Sequence, residues 1–130
     1  MTVPMARAPY TDGELVRGYL ASFEEGDDGD GTNFWATEEL MAMVSSDPER
    51  AWRLTLEMLR SVQDALFRAY VAAGPLEDLL CNHGSLFIER VEALAKTEPW
   101  FLESLRTVYG HIRMQPEIYA RVQQALDSNA

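Results

Sequence analysis

One apolar spacing recurs along this chain and narrows its folding options to helices. Residues i, i+1, i+4, i+7 and i+8 are apolar in the set Phe87, Ile88, Val91, Leu94 and Ala95. The set returns as Phe101, Leu102, Leu105, Val108, Tyr109, as Ile118, Tyr119, Val122, Ala125, Leu126 and, with one threonine, as Ala51, Trp52, Thr55, Met58, Leu59. At about 100° per residue these positions fall on one stripe roughly 120° wide, which needs a partner stripe to bury it. No segment alternates with period two, so no strand is predicted. The expected fold class is all-α, a single compact domain of about seven to eight short helices packed as antiparallel hairpins.

Capping chemistry sets the predicted boundaries. Thr11 and Glu14 have capping-box spacing, Ser46 or Asp47 precedes Pro48, Thr97 precedes Glu98 and Pro99, and Gln115 precedes Pro116. Pro48, Pro75, Pro99 and Pro116 all read as first-turn prolines, and Gly74, Gly84 and Gly110 as left-handed stops. The resulting helices lie near 12–24, 34–45, 48–60, 62–73, 76–83, 85–96, 98–109 and 116–127. Residues 1–10 read as a flexible terminus, and 25–33, glycine-rich and acidic without an apolar anchor, as a surface loop.

With 47% hydrophobic and 25% charged residues the chain has material for a core. A single cysteine, Cys81, rules out an intrachain disulfide, and no stretch approaches the roughly 18 unbroken apolar residues of a membrane span. The expectation is a soluble cytoplasmic protein, neither exported by an apolar leader nor membrane-bound. The net charge of −10 is concentrated: between residues 12 and 39, nine acids face one base, Arg17. Such a chain has no basic track for phosphates, which argues against ordinary nucleic-acid binding.

The catalytic and metal readings fare poorly on spacing. Asp28, Asp30 and Gly31 resemble the middle of a calcium loop, but placing Gly31 at position six puts Gly26 first and Thr37 twelfth, and using Gly29 fails equally. Cys81 and His83 stand two apart, on opposite sides of a regular helix, and with His111 they are the only soft-metal ligands besides thioethers. Ser85 follows His83 without a nucleophile elbow. Glu77 and Asp78 could perform acid–base chemistry but diverge around their helix. No metal or cofactor is expected. Trp35, Trp52 and Trp100 read as core residues, with a cavity between them as the alternative, and the methionines, Met41 and Met43 included, as gap-fillers before binding surface.

The stretch Ala73-Gly74-Pro75-Leu76-Glu77-Asp78-Leu79-Leu80, with His83-Gly84, Ala51-Trp52, Ile88-Glu89-Arg90 and Ala95, resembles a family of small bacterial helical proteins catalogued as a domain of unknown function. The resemblance spans about 34–126 and implies a compact helical domain with no assigned activity.

Two functional expectations follow. The first is a non-catalytic protein-binding module, immunity- or antitoxin-like, that masks a basic protein partner through Glu24, Glu25, Asp27, Asp28, Asp30, Glu38 and Glu39. The second is a small-molecule-binding protein or enzyme with a pocket near Glu77, Asp78 and His83. An apolar pocket containing one of those carboxylates favours the second; a filled core with His83 capping its own helix favours the first.

Overall fold

A computed structural model of the 130-residue chain describes residues 10–26, 31–110 and 112–129, so Asp27, Asp28, Asp30 and residues 1–9 lie outside the described part. The described residues hold helices and no strands: α1 (Asp12–Glu25), α2 (Phe34–Ser46), α3 (Pro48–Ser61), α4 (Ala65–Val71), a wider turn (Ala72–Leu76), α5 (Glu77–Thr97), α6 (Pro99–Leu105) and α7 (Pro116–Ser128). Because α4, the wider turn and α5 run on without interruption, there are six continuous helical stretches among the described residues, not seven to eight.

The starts follow the local chemistry. Thr11 and Glu14 form the reciprocal capping box, and Asp47 rather than Ser46 caps α3 by accepting from the Arg50 amide. α4 begins three residues later than predicted because Asp64 caps it, accepting from the Leu66 and Phe67 amides. Thr97 caps nothing; its hydroxyl returns to the Ala93 carbonyl within α5.

Three predicted stops fail. Among the described residues only Gly26 and Gly31 have positive φ, so Gly74, Gly84 and Gly110 are not left-handed caps. Gly84 sits inside α5, where a Cβ would lie 2.8 Å from Ile118 Cγ1: it lets α7 approach. Gly74 precedes a proline, whose ring drives the preceding residue out of the helical region, and it adopts φ −99°, ψ −105°. Pro75 therefore rides inside a kinked helical run rather than opening a new helix. The Glu77 amide donates back to the Ala72 carbonyl, one residue further than an α turn would reach.

α6 also stops early, at Leu105 instead of 109. Thr107 and Val108 close tight turns onto Ser104 and Leu105, and the Tyr109 amide turns to Glu77. Tyr109, assigned to the buried stripe by periodicity, is 76% exposed.

Otherwise the stripes bury in the main, with Leu94, Leu102, Tyr119 and Leu126 only half-buried at their edges. Ala51, Trp52, Thr55, Met58 and Leu59 of α3 are all buried, as are Phe87, Ile88, Val91 and Ala95 of α5. Trp52 stacks on Phe87 at 4.8 Å between ring centroids and meets Phe101 edge-on at 6.3 Å. Each such side chain removed from water contributes about 1.5–3 kcal/mol. Ion pairs tie the frame outside: Asp12 of α1 accepts from Arg50 and Arg53 of α3, Glu49 of α3 pairs both oxygens with Arg90 of α5, and Glu92 of α5 pairs with Arg121 of α7. No described helix is long and apolar enough to cross a membrane.

Candidate functional site

The kink at Gly74-Pro75 opens a pocket of about 230 Å³ between α1, α2 and the helical run. Tyr19 of α1 supplies its floor; Thr37, Leu40, Met41 and Val44 of α2 form one wall; Tyr70, Ala73, Gly74, Pro75 and Asp78 form the other. The α2 residues stand at the 3–4 spacing of a single helical face. Glycine at 74 has a spatial reason too, since a Cβ there would lie 3.1 Å from the Tyr19 hydroxyl.

The lining is mostly apolar, with polar groups at one side. Tyr19 is buried, and burial chiefly raises its phenol pKa, with the neighbouring Tyr70 and the Asp78 charge adding to the rise. It therefore stays a neutral hydrogen-bonding group. Tyr70 lies 5.4 Å from the Tyr19 ring and 5.0 Å from that of Phe23, and its partial exposure places it on the rim. Opposite stands Met41, 59% exposed.

The three residues of the second expectation are split by the structure. Asp78 lines the pocket. Glu77 points elsewhere and is buried: Oε1 accepts from the Tyr109 amide at 2.9 Å and Oε2 from Arg113 Nη1 at 3.0 Å. Arg113 Nη2 donates to Asp78 Oδ1 at 2.8 Å, so two carboxylates expected to diverge share one guanidinium. His83 leaves helical geometry at φ −138°, ψ 37°, and its Nε2–H donates to the Val44 carbonyl at 2.8 Å. That carbonyl is among the last four of α2, which lack intrahelical donors. His83 caps α2, not its own helix, and stands behind the pocket wall that Val44 forms.

Cys81 and His83 both border a second cleft, with Asn82, Ser85 and Gln115. No hydrogen bond joins His83 to Ser85, and burial holds the Cys81 thiol above its ordinary range, which makes it a poor nucleophile. Among the described residues no group of three His, Cys, Asp or Glu is placed to hold a metal ion.

The residues of the acidic expectation divide in the same way. Glu25 accepts from the Asn33 amide nitrogen at 2.7 Å, and Glu39 from the Tyr10 hydroxyl at 3.0 Å. Tyr10, assigned to the flexible terminus, packs on Trp35 at 5.4 Å. Glu24 and Glu38 are exposed and make no ion pair with the described residues. Glu38 falls between the lining residues Thr37 and Met41 in the sequence of α2, and Glu24 follows Phe23, whose ring packs on Tyr70. Trp52 and Trp100 share a broad groove of about 560 Å³ with Arg53, Glu57, Arg60 and Glu98, whose mixed charges give it no single complement; Trp35 is not part of it.

Sequence reasoning missed Tyr19, Tyr70 and Arg113. Leu15, Tyr19 and Phe23 recur every four residues along α1 and carried a signal for the first. Nothing local announced the other two.

Fold and site together define a small all-α domain with an open apolar pocket beside an acidic edge. The chain belongs to a family of unknown function (DUF6869), which it matches over residues 24–130. The match is wider than the resemblance at 34–126: it takes in the acidic loop and every pocket residue except Tyr19. No curated protein and no solved structure matches the chain.

Proposed function

We propose that this chain is a non-catalytic protein-binding module, and that the pocket at Gly74-Pro75 receives an apolar side chain from a basic partner. The observation that carries the reading is the open apolar pocket, rimmed by exposed Met41 and Tyr70; exposed Glu38, next to Thr37 of the lining, and exposed Glu24, next to Phe23, make no ion pair with the described residues and add negative charge. Small pockets that desolvate one anchor side chain supply most of the energy of protein interfaces, and aromatic residues and methionine are enriched there. The surrounding negative charge speeds capture of a positive surface over the ~8–10 Å range that salt permits. An immunity- or antitoxin-like role, masking a basic protein, is the specific biological form of this reading.

The enzymatic alternative loses its acid–base set, because Glu77 is held by two donors and His83 by Val44. A small molecule in the same pocket is the competing occupant, favoured by the presence of the Asp78 carboxylate in a mostly apolar lining.

The test compares capture from the native host by the wild type, by Met41→Asp with Tyr70→Ala, and by Glu24→Gln with Glu38→Gln. A basic protein retained by the first, lost by the second and bound more slowly with a flatter salt dependence by the third is the expected result. Capture that ignores the pocket variant, with all three melting alike, would overturn the reading. Turnover of a small substrate that vanishes in Glu77→Gln or His83→Ala at unchanged melting temperature would restore the enzyme.

A further inference from the structure

We infer that Asp78 is the charge-reading element of this pocket and that Arg113 occupies it as a built-in competitor: the partner's anchor is an apolar side chain beside a lysine or arginine that displaces Arg113. This inference rests on the pocket reading above and names the chemistry that the pocket selects.

Three observations converge. Among the described residues Asp78 is the only carboxylate in the pocket lining, and it stands on the wall formed by the helical run, across from Met41 and Val44 of α2. Its Oδ1 is taken by Arg113 at 2.8 Å, while its Oδ2 accepts from none of the described residues. The carboxylate therefore has acceptor capacity left on a pocket whose other walls are apolar, and the preference it creates is for a cation attached to a hydrocarbon.

The present cation is easily exchanged. The Arg113 side chain is 51% exposed and belongs to residues 106–115, which form no regular helix among those described. An ion pair with one side chain half-exposed and screened by solvent is weak, so replacing it costs little. Arg113 also need not leave altogether. Its Nη1 is bonded to the buried Glu77, which keeps its Tyr109 amide donor in any case, so only the Nη2 contact to Asp78 has to open. One cation replaces another, and neither carboxylate is stranded. The arrangement also discriminates: a purely apolar segment would have to bury against a paired but polar Asp78, and an acidic one would meet its charge together with those of Glu38 and Glu24.

The test uses four probes that separate hydrocarbon from charge: hexylguanidinium, hexanol, guanidinium and hexanoate, titrated onto the full chain with the methionine methyls observed by NMR. Hexylguanidinium is expected to move the Met41 methyl and to bind about tenfold tighter than hexanol, with guanidinium and hexanoate weaker than both. Asp78→Asn should reduce hexylguanidinium to the affinity of hexanol. Arg113→Ala should strengthen hexylguanidinium several-fold and leave hexanol unchanged. Arg113→Gln, which retains a donor for Glu77, repeats the measurement should the alanine variant melt early.

Equal binding of hexanol and hexylguanidinium by the wild type would remove Asp78 as a selector while leaving the pocket as a binding site. Weaker hexylguanidinium binding in both Arg113 variants would make Arg113 part of the receptor and overturn the competition. If no probe moves Met41 in any protein, the pocket reading falls with it.

Discussion

Two glycines from neighbouring turns of the chain show opposite ways of using a missing side chain. At Gly84 the space is filled by Ile118, whose Cγ1 and Cγ2 would stand 2.8 and 2.9 Å from an added Cβ, and α5 closes on α7. At Gly74 the nearest neighbour is a hydroxyl, that of Tyr19 at 3.1 Å, and the space beside it stays open to the surface. The first region is built for stability and the second for access. Substitutions in the two should therefore separate melting behaviour from binding.

The largest effect is expected at Phe87, fully buried and stacked on Trp52. Phe87→Ala should lower unfolding free energy by about 3–5 kcal/mol, read in urea melts. Gly84→Ala comes next: its methyl has no room unless α7 shifts, and the expected loss is about 1–3 kcal/mol. A Gly84→Ala protein as stable as the parent would mean that the closed side is looser than drawn here. Glu77→Ala should cost about 1–3 kcal/mol by stripping the Tyr109 amide of its acceptor, and should expose residues 106–115 to protease.

A smaller effect concerns Asp12, which joins α1 to α3. The hydrogen bond from Arg50, with help from Arg53 and against a slight burial cost, holds its carboxyl below the ordinary value of 3.8. A depressed folded-state value contributes stability above the unfolded pKa and loses it as pH falls through the folded one. The wild-type advantage over Asp12→Asn should thus be constant near neutrality, at about 0.2–1 kcal/mol, and fade below pH 3.8. A difference that persists undiminished in stronger acid would show that the ion pairs are not its source. Smallest of all, Met41→Ser on the open side should shift stability by no more than about 0.5 kcal/mol, while weakening whatever enters the pocket.

The stripes of the closed side were legible from the sequence; Gly84 itself and the open side were not, and the reason is physical. Apolar spacing reports how a helix presents itself to a core, so the stripes of α3 and α5 and the caps at Thr11 and Asp47 were readable. Gly74-Pro75 carries the signals of a helix end followed by a helix start, and only packing decides whether the chain separates there or bends and continues. His83 was placed correctly as a donor to a carbonyl but assigned to its own helix, because sequence proximity says nothing of α2 lying within 2.8 Å. Arg113 lies 35 residues from Asp78, and no local pattern links them. The pocket is a by-product of the bend, and so it inherited the bend's illegibility.

The wider turn also has a consequence for counting. A turn closed from residue 77 back to 72 holds one residue more than the α turns on either side, and one residue is worth about 100° of rotation. Counted at about 100° per residue, a regular helix would hold Phe67 and Val71 nearly opposite Leu76, Leu79 and Leu80, and the extra residue of the wider turn takes up about 100° of that difference, so that all five bury along a single helical run. A chain shortened by one residue here would be expected to close into a regular helix with both buried sets still facing the core, and to lose the bend that opens the pocket. Length, as much as composition, is what this stretch encodes, and the pocket is the visible trace of its odd residue.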